Sequence, residues 1–199
     1  MSLPLLIWCI VALSYVVFYC WYIGFKRRLQ REEIDAVYST LKPSSEAQVE
    51  HLNTMRTFFE QDDGRDFVMV NMLLLKHPLE KARQQLATYQ SIFMRSLLKR
   101  AGHPILFGRV TGDILDSVAC DDEQWSATFL VRYRCRRDLL HMLPETLDSA
   151  HHALKLASLD RTFAMPATPW HIMGGPKWIV PLLLLLIGAL AHLSVAVLI

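Results

Sequence analysis

The chain has 199 residues, 52% of them hydrophobic and 20% charged, with a formal net charge of +2. The length allows one medium-sized domain. The small net charge, without a basic stripe among aromatic residues, excludes nucleic acid as a predicted partner. Charge is unevenly distributed, because residues 1–25 and 178–199 contain no Asp, Glu, Lys or Arg. The sequence therefore predicts a charged middle part between two apolar ends.

Residues 1–25 include an apolar stretch, LPLLIWCIVALSYVVFYCWYIG, that is long enough to cross a bilayer as a helix of about 20 residues. Trp21 and Tyr22 stand near its charged end, as aromatic residues at a membrane interface often do. A cleaved signal peptide is the alternative, but no Lys or Arg precedes the stretch and no small-x-small cleavage site follows it. We predict an uncleaved transmembrane helix.

Residues 26–66 are predicted to form a helical linker and then a capped helix. The linker helix, residues 26–42, extends the first apolar helix and ends before Pro43, because the residue before a proline avoids the α region. Ser44 or Ser45 caps the next helix, and Gly64 suits the C′ position at its end.

The stretch FVMVNMLLL, residues 67–75, is apolar except for Asn71. Its composition and its polar boundaries predict a strand over residues 67–76 that is buried on both faces. A helix, two strands, a helix interrupted at Pro144 and a last strand follow, at residues 80–101, 105–115, 125–134, 136–160 and 162–166. This β-α-β-β-α-β order over residues 67–169 predicts a ferredoxin-like α+β sandwich, with two helices on one face of a four-stranded antiparallel sheet.

The sheet face away from the helices needs a cover, because the first predicted strand has apolar side chains on both sides. A second copy of the sheet is the simplest cover, so we predict a face-to-face homodimer with two-fold symmetry.

Residues 170–177 are predicted to be a linker to a second transmembrane helix, residues 178–199, which also has spanning length. Pro181 is expected in its first turn, where a missing N–H costs little. His192 lies inside this segment, and ionisable residues within membranes are functional candidates. The simpler interpretation is a neutral imidazole that lies near the far interface or bonds to the other apolar helix.

Positive charges flank both apolar segments on their inner sides, from Lys26 to Arg31 and at Lys177. The positive-inside rule therefore predicts a cytoplasmic middle domain, at a bacterial inner membrane, with both termini outside. The cysteines form no C-x-x-C pair, so free thiols are expected at all four, Cys9, Cys20, Cys120 and Cys135.

Residues 43–169 resemble a family of unknown function in the dimeric α+β barrel superfamily. The motifs that carry the resemblance are PSSEAQ, DDG, VMVNMLLLK, Tyr89, Gly102, Trp125, VRYRCRRDLLHML and HHALKLASLDRTFAMPATP. The chain departs from the family pattern in its two apolar ends, and in Cys135, which stands at the expected cap of a helix where a small hydroxyl residue is common. The resemblance implies the fold and a dimer, but no substrate.

Four polar side chains are candidates for a ligand site on one face of the predicted sheet: Asn71, Arg109, Thr128 and Arg132. Arginine beside an amide and a hydroxyl can hold a carboxylate or an enolate-like oxygen. The alternative is that Asn71 bonds backbone or a side chain and fixes strand register, with the arginines in solvent. The aromatic residues expected to line a pocket between helices and sheet are Tyr89, Phe93, Phe107 and Trp125.

No metal or cofactor is predicted. His151 and His152 are adjacent and point about 100° apart on a helix, and His141 lies across Pro144, so a metal or haem site has little support. Two functions remain open. The first is a membrane-tethered dimeric scaffold, accessory subunit or binder of a small hydrophobic ligand. The second is a cofactor-independent oxygenase or isomerase, in which Arg132 or Asn71 stabilises negative charge and His103 is the base.

Overall fold

The structure is a computed structural model that describes residues 2–43, 45–116, 124–147, 150–170, 172 and 174–198. Ser44 and Cys120, which the sequence singled out, lie outside these ranges. The chain divides into two compact units, one of Met1–Phe25 with Trp170–Ile199 and the other of Lys26–Pro169.

The first unit contains two apolar helices, α1 (Leu3–Tyr22) and α8 (Pro176–Leu198). Both are long and apolar enough to span a membrane. Helix α1 does not continue into the charged segment, because the chain leaves the helix after Tyr22 and Gly24 adopts φ 68°. Pro181 lies inside α8 rather than in its first turn.

Helices α1 and α8 meet at a small residue and at one polar pair. A Cβ added to Gly188 would lie 2.8 Å from Cγ2 of Val11, so only glycine permits this close approach. The Trp8 indole Nε1–H donates to Nδ1 of His192 at 3.3 Å. Of the two simple interpretations of His192, the structure therefore shows the bond to the other apolar helix.

The second unit begins with α2 (Arg31–Tyr38) and α3 (Glu46–Glu60). The predicted continuous helix over residues 26–42 is wrong, since residues 24–30 are not helical. The predicted cap is confirmed at Ser45, whose side chain accepts from the Gln48 N–H at 3.3 Å. Ile34 and Phe59 are buried in the domain core, so the segment predicted as linker and capped helix contributes to that core.

Four strands form one sheet: β1 (Phe67–Leu75), β2 (His103–Arg109), β3 (Ala127–Tyr133) and β4 (Leu159–Ala167). Their order is β2-β3-β1-β4 and every neighbouring pair is antiparallel. The predicted adjacency of the first and third strands, and of the second and third, is confirmed. Strand β2 starts earlier than predicted, because the turn at Ala101, with φ 57°, returns the chain to the sheet at once, and the strand ends at Arg109.

The remaining helices are α4 (Leu79–Lys99), α5 (Arg136–Leu140), α6 (Leu143–Leu147) and α7 (Ala150–Ser158). The interrupted helix predicted over residues 136–160 is thus three short helices, and Pro144 lies in the first turn of α6, where proline is tolerated. Among the core residues are Phe67, Phe129, Val131 and Tyr133 of the sheet with Leu97, Leu140 and Leu143 of the helices. The structure is therefore a mixed α+β domain with a four-stranded antiparallel sheet.

The face of the sheet that points away from the helices is apolar and partly open to solvent. The register pairs Val70 with Met165 and Met72 with Phe163 across β1 and β4. Met165 is 55% exposed and Phe163 is 42% exposed. Large apolar side chains therefore reach solvent on this face.

Candidate functional site

A cavity of about 360 Å³ lies between one face of the sheet and the helices α3, α4, α5, α6 and α7. Most of its walls are aromatic or aliphatic, which is typical of sites for small organic ligands. The apolar lining includes Met55, Phe58, Met69, Leu73, Leu86, Tyr89, Phe93, Phe129, Tyr133, Leu139, Leu143, Leu147 and Leu159. The polar lining is sparse, and each polar group therefore carries information about what the cavity can hold.

Asn71 lies in the sheet wall of this cavity. Its side-chain N–H₂ donates to the carbonyl oxygens of Phe129, at 2.9 Å, and Met69, at 3.1 Å. Both partners are acceptors, so the orientation of the amide follows from the contacts. The amide thus bonds backbone across β1 and β3, as the structural alternative for this residue predicted.

Three basic groups lie together on the helical side of the cavity: His51 of α3, and His152 and Lys155 of α7. His152 and Lys155 are three residues apart, so they share a helix face. The Lys155 ammonium nitrogen is 5.9 Å from the centroid of the Tyr89 ring. His51 is exposed, whereas His152 and Lys155 are partly buried, so His51 marks the rim.

The cavity lowers the pKa of each basic group. Burial lowers the pKa of Lys155. Partial desolvation, and then the charge of Lys155, lowers the pKa of His51 at the rim and of His152, and the charge of His51 adds to the effect on His152. No Asp or Glu is among the described residues that line the cavity. The cluster is therefore positive when protonated, and the cavity lining offers it no negative charge.

The tyrosines of the cavity stay protonated. Burial raises the pKa of Tyr89 to about 12. It raises the pKa of Tyr133 further still. Both phenols are therefore neutral at physiological pH and do not supply the missing negative charge.

The prediction that Asn71, Thr128 and Arg132 share one sheet face is wrong. Residues directly opposite in an antiparallel pair share a face, and Asn71 lies opposite Phe129, not Thr128. Alternation then turns the side chains of Thr128 and Arg132 to the other face. The error lay in the register, which a single strand sequence does not fix.

Arg132 is buried and bonded within the protein, contrary to both expectations for it. It is 3% exposed. Its Nε contacts Asp66 Oδ2 at 3.1 Å, and its Nη1 donates to the Ala101 carbonyl at 3.0 Å. His103 lies opposite Arg132 in the register, on the same side of the sheet. Neither Arg132, one of the two proposed charge stabilisers, nor His103, the proposed base, lines the cavity.

The other candidate residues are divided among different surroundings. Tyr89 and Phe93 line the cavity together with Asn71. Phe107 and Arg109 line a second depression, near Arg83. Trp125 packs edge-on against Phe163 at 5.2 Å between ring centroids, away from the cavity.

Neither a reactive cysteine nor a metal-ligand group is found among the residues that the structure describes. Cys135 is the N-cap residue of α5, and burial raises the pKa of its thiol to about 11. Among the residues that the structure describes, no group of three or more His, Cys, Asp or Glu could hold a metal ion.

Sequence reasoning missed His51 and Lys155, and considered His152 only as a metal ligand. The i, i+3 spacing of His152 and Lys155 was a local signal for a shared face. His51 had no such signal, because α3 was assigned outside the domain.

The chain matches no protein-family model and no curated protein. Among solved structures it is similar to the RPA0582 protein of Rhodopseudomonas palustris, a structural genomics target of unknown function, with a TM-score of 0.50 and 16% identity. That likeness covers 66% of this chain and 97% of the other. The methylated RPA0582 protein is also similar, with a TM-score of 0.49 and 16% identity over 67% and 96% of the two chains. The first similarity shows a shared fold and does not extend to an activity.

Proposed function

We propose that this chain is a membrane-anchored binder of a small hydrophobic ligand. The observation that carries the proposal is the cavity of about 360 Å³, within the size range of small-molecule sites, whose walls are mostly aromatic and aliphatic. Two helices of spanning length accompany the domain. A tethered domain with such a cavity suits a ligand that dissolves in the bilayer.

The domain is proposed to be a ferredoxin-like β-α-β-β-α-β sandwich of the dimeric α+β barrel superfamily. The strand order β2-β3-β1-β4 and the motifs that resemble the family support this assignment. The proposed location is a bacterial inner membrane, with the domain in the cytoplasm and both termini outside, on the basis of the charged flanks of the apolar segments.

Ligand binding is tested by extracting the full-length protein with its native lipid into polymer nanodiscs and identifying co-purifying small molecules by mass spectrometry. Leu86→Trp places a bulky indole ring in the cavity wall, whereas Leu98→Trp changes an exposed position on the same helix. We expect a molecule enriched with the wild type and Leu98→Trp, and depleted with Leu86→Trp. Equal recovery from all three proteins, or none from the wild type, would contradict the proposal.

The catalytic alternative, a cofactor-independent oxygenase or isomerase, lacks support in the geometry. It needs Arg132 or Asn71 to stabilise negative charge, and His103 as the base. Arg132 is committed to Asp66 and Ala101 on the other side of the sheet. The Asn71 N–H₂ group is committed to backbone.

The domain is also proposed to form a homodimer through the sheet face away from the helices. Support comes from the exposed apolar residues Leu106, Phe163 and Met165, which are typical of a surface that pairs with another. We expect native mass spectrometry in mild detergent to find dimers of the wild type and Arg109→Ala, and monomers of Met165→Asp. Monomers of the wild type would overturn this part of the proposal.

A further inference from the structure

We propose that the cavity takes a hydrophobic carboxylate, an acid with an apolar body, and that Lys155 holds its head with His51 and His152. This inference rests on the proposed ligand-binding function and names the class of ligand.

The first argument is the uncompensated positive charge of the cluster. Lys155 faces the ring of Tyr89, and in the described part of the chain it makes no ion pair. An ammonium that is partly removed from water and has no counter-charge is costly. An anionic ligand would remove that cost and gain a charge-assisted hydrogen bond. The cavity therefore favours ligands that bring one negative charge.

The second argument is the contrast between the basic cluster and the apolar part of the lining. The basic groups come from α3 and α7, whereas Phe93, Phe129, Leu139 and Leu143 belong to the packed apolar core. Such an arrangement fits a molecule with one polar end and one apolar body. A wholly apolar molecule would leave Lys155 without a partner. A small inorganic anion would leave the apolar side chains of the cavity in contact with water.

The third argument concerns the type of acid. No arginine is among the described residues that line the cavity, so the site lacks the forked donor that recognises phosphates and carboxylates bidentately. The cluster offers one ammonium with two imidazoles, which matches the single negative charge of a carboxylate better than the charge of about −1.5 to −2 of a phosphate monoester. The titratable groups around Lys155 are His51 of α3, His152 of α7, Tyr89 of α4 and Tyr133 of β3, and none of them carries negative charge at neutral pH.

The test uses the full-length protein in nanodiscs, with empty nanodiscs to subtract partition into lipid. Calorimetric titration compares decanoate with decanol and with decyl phosphate. We expect decanoate to bind the wild type at least tenfold more tightly than decanol, and more tightly than decyl phosphate. A second pair, 2-naphthoate and 2-naphthol, gives the same contrast on an aromatic body. Whichever of decanoate and 2-naphthoate binds more tightly shows whether the apolar body of the ligand is a chain or a ring system.

Variants of the lysine assign the effect to this site. Lys155→Met should reduce the preference for decanoate over decanol to less than threefold while decanol still binds, and Lys155→Arg should retain most of the preference. Lys99→Met, at an exposed position of α4, should behave as the wild type. A preference that survives in Lys155→Met would overturn the assignment.

Failure of the carboxylate assignment can be distinguished from failure of the proposed ligand-binding function. Equal binding of decanoate and decanol to the wild type would leave a ligand cavity but refute the carboxylate head. Tighter binding of decyl phosphate would also refute it. Absence of binding by every probe, together with no co-purifying molecule, would refute the proposed function itself.

Discussion

At the scale of single residues, the same type of side chain has opposite roles depending on its surroundings. Arg132 and Arg109 were predicted as members of one ligand site. Arg132 is 3% exposed and bonded to Asp66 and Ala101, whereas Arg109 is an exposed residue at the end of β2. Burial thus makes the first arginine part of the framework and leaves the second on the surface.

Replacement of Arg132 should therefore destabilise the fold, and replacement of Arg109 should not. Arg132→Met removes charge-assisted hydrogen bonds to Asp66 and to the Ala101 carbonyl, so we expect the free energy of unfolding to fall by about 2–3 kcal/mol. Arg109→Met should change it by less than about 0.5 kcal/mol. Urea unfolding of both full-length variants in mild detergent measures the difference. Equal effects would mean that the two arginines have similar environments.

His51 and His152 should make the protein sensitive to mild acid. Their pKa values are lowered from the ordinary 6.5, so the unfolded chain binds protons that the folded chain resists. Stability therefore falls as the pH drops below about 6.5 toward the lowered values. We expect Tm to decrease between pH 7.5 and pH 5, and the decrease to be smaller in a His51→Gln, His152→Gln double variant.

The control for this pH dependence is His77→Gln, at an exposed position outside the cavity. Its Tm should follow the wild type across the same pH range. A double variant as acid-sensitive as the wild type would show that the dependence originates elsewhere.

At the scale of elements, local patterns predicted which segments are strands and helices better than they predicted how these segments meet. The strand at β1 and the cap at Ser45 follow from local signals, and both were predicted correctly. The predicted burial of β1 on both faces is not observed in the single chain, where most residues of the strand are only partly buried. The register between β1 and β3 depends on contacts between residues about 60 positions apart, for example Asn71 with Phe129. The face that Arg132 occupies therefore could not be derived from alternation within one strand.

The candidate site was predicted only in part, for the same reason. Tyr89, Phe93 and Asn71 were placed at the cavity because they lie on the apolar faces of their own elements. Lys155 and His51 belong to helices whose packing brings them together, and neither helix alone indicates the other. The start of the domain was also predicted at residue 67, which left α3 outside the domain.

The turn after α3 provides a test of how closely the segment before α2 packs on the domain. Gly64 has φ 72°, and a Cβ there would lie 2.9 Å from the carbonyl oxygen of Lys26. Asp62 supports the same contact by accepting from the Leu29 N–H at 2.8 Å. The turn and the segment around Lys26 are thus packed without room for a methyl group.

Gly64→Ala should lower the free energy of unfolding by about 2–3 kcal/mol, because it forces a left-handed residue and a backbone clash. Gly112→Ala is the matched control, since a Cβ there would meet no atom within 4 Å. Thermal and urea unfolding of the two full-length variants provide the comparison. A neutral Gly64→Ala would mean that the segment at Lys26 can move away from the turn.

At the scale of the whole molecule, the proposed arrangement is a domain tethered to the bilayer at both ends. The formal charge lies entirely between the two apolar segments, within residues 26–177. Tethering at both ends keeps the domain close to the membrane surface and raises the effective concentration of one copy for another. Ligand entry from the bilayer and pairing of copies are both favoured by this geometry.

The proposed orientation predicts which parts of the chain a protease can reach. Right-side-out spheroplasts should protect the domain from added protease, whereas inverted membrane vesicles should expose it. A variant in which the basic residues at 26–28 and 31 are changed to glutamine should insert with mixed orientation, because the positive flank sets topology. Complete digestion of the wild-type domain in intact spheroplasts would contradict the orientation.

The hydrogen bond between Trp8 and His192 joins residues 184 positions apart. In the proposed membrane arrangement, the first helix therefore enters the lipid long before its acceptor has been synthesised. At about 5–20 residues per second, the indole N–H faces hydrocarbon or a temporary partner for roughly 10–40 s. Closure of the helix pair is consequently a late event in biogenesis, completed after the domain between the two segments has already left the ribosome.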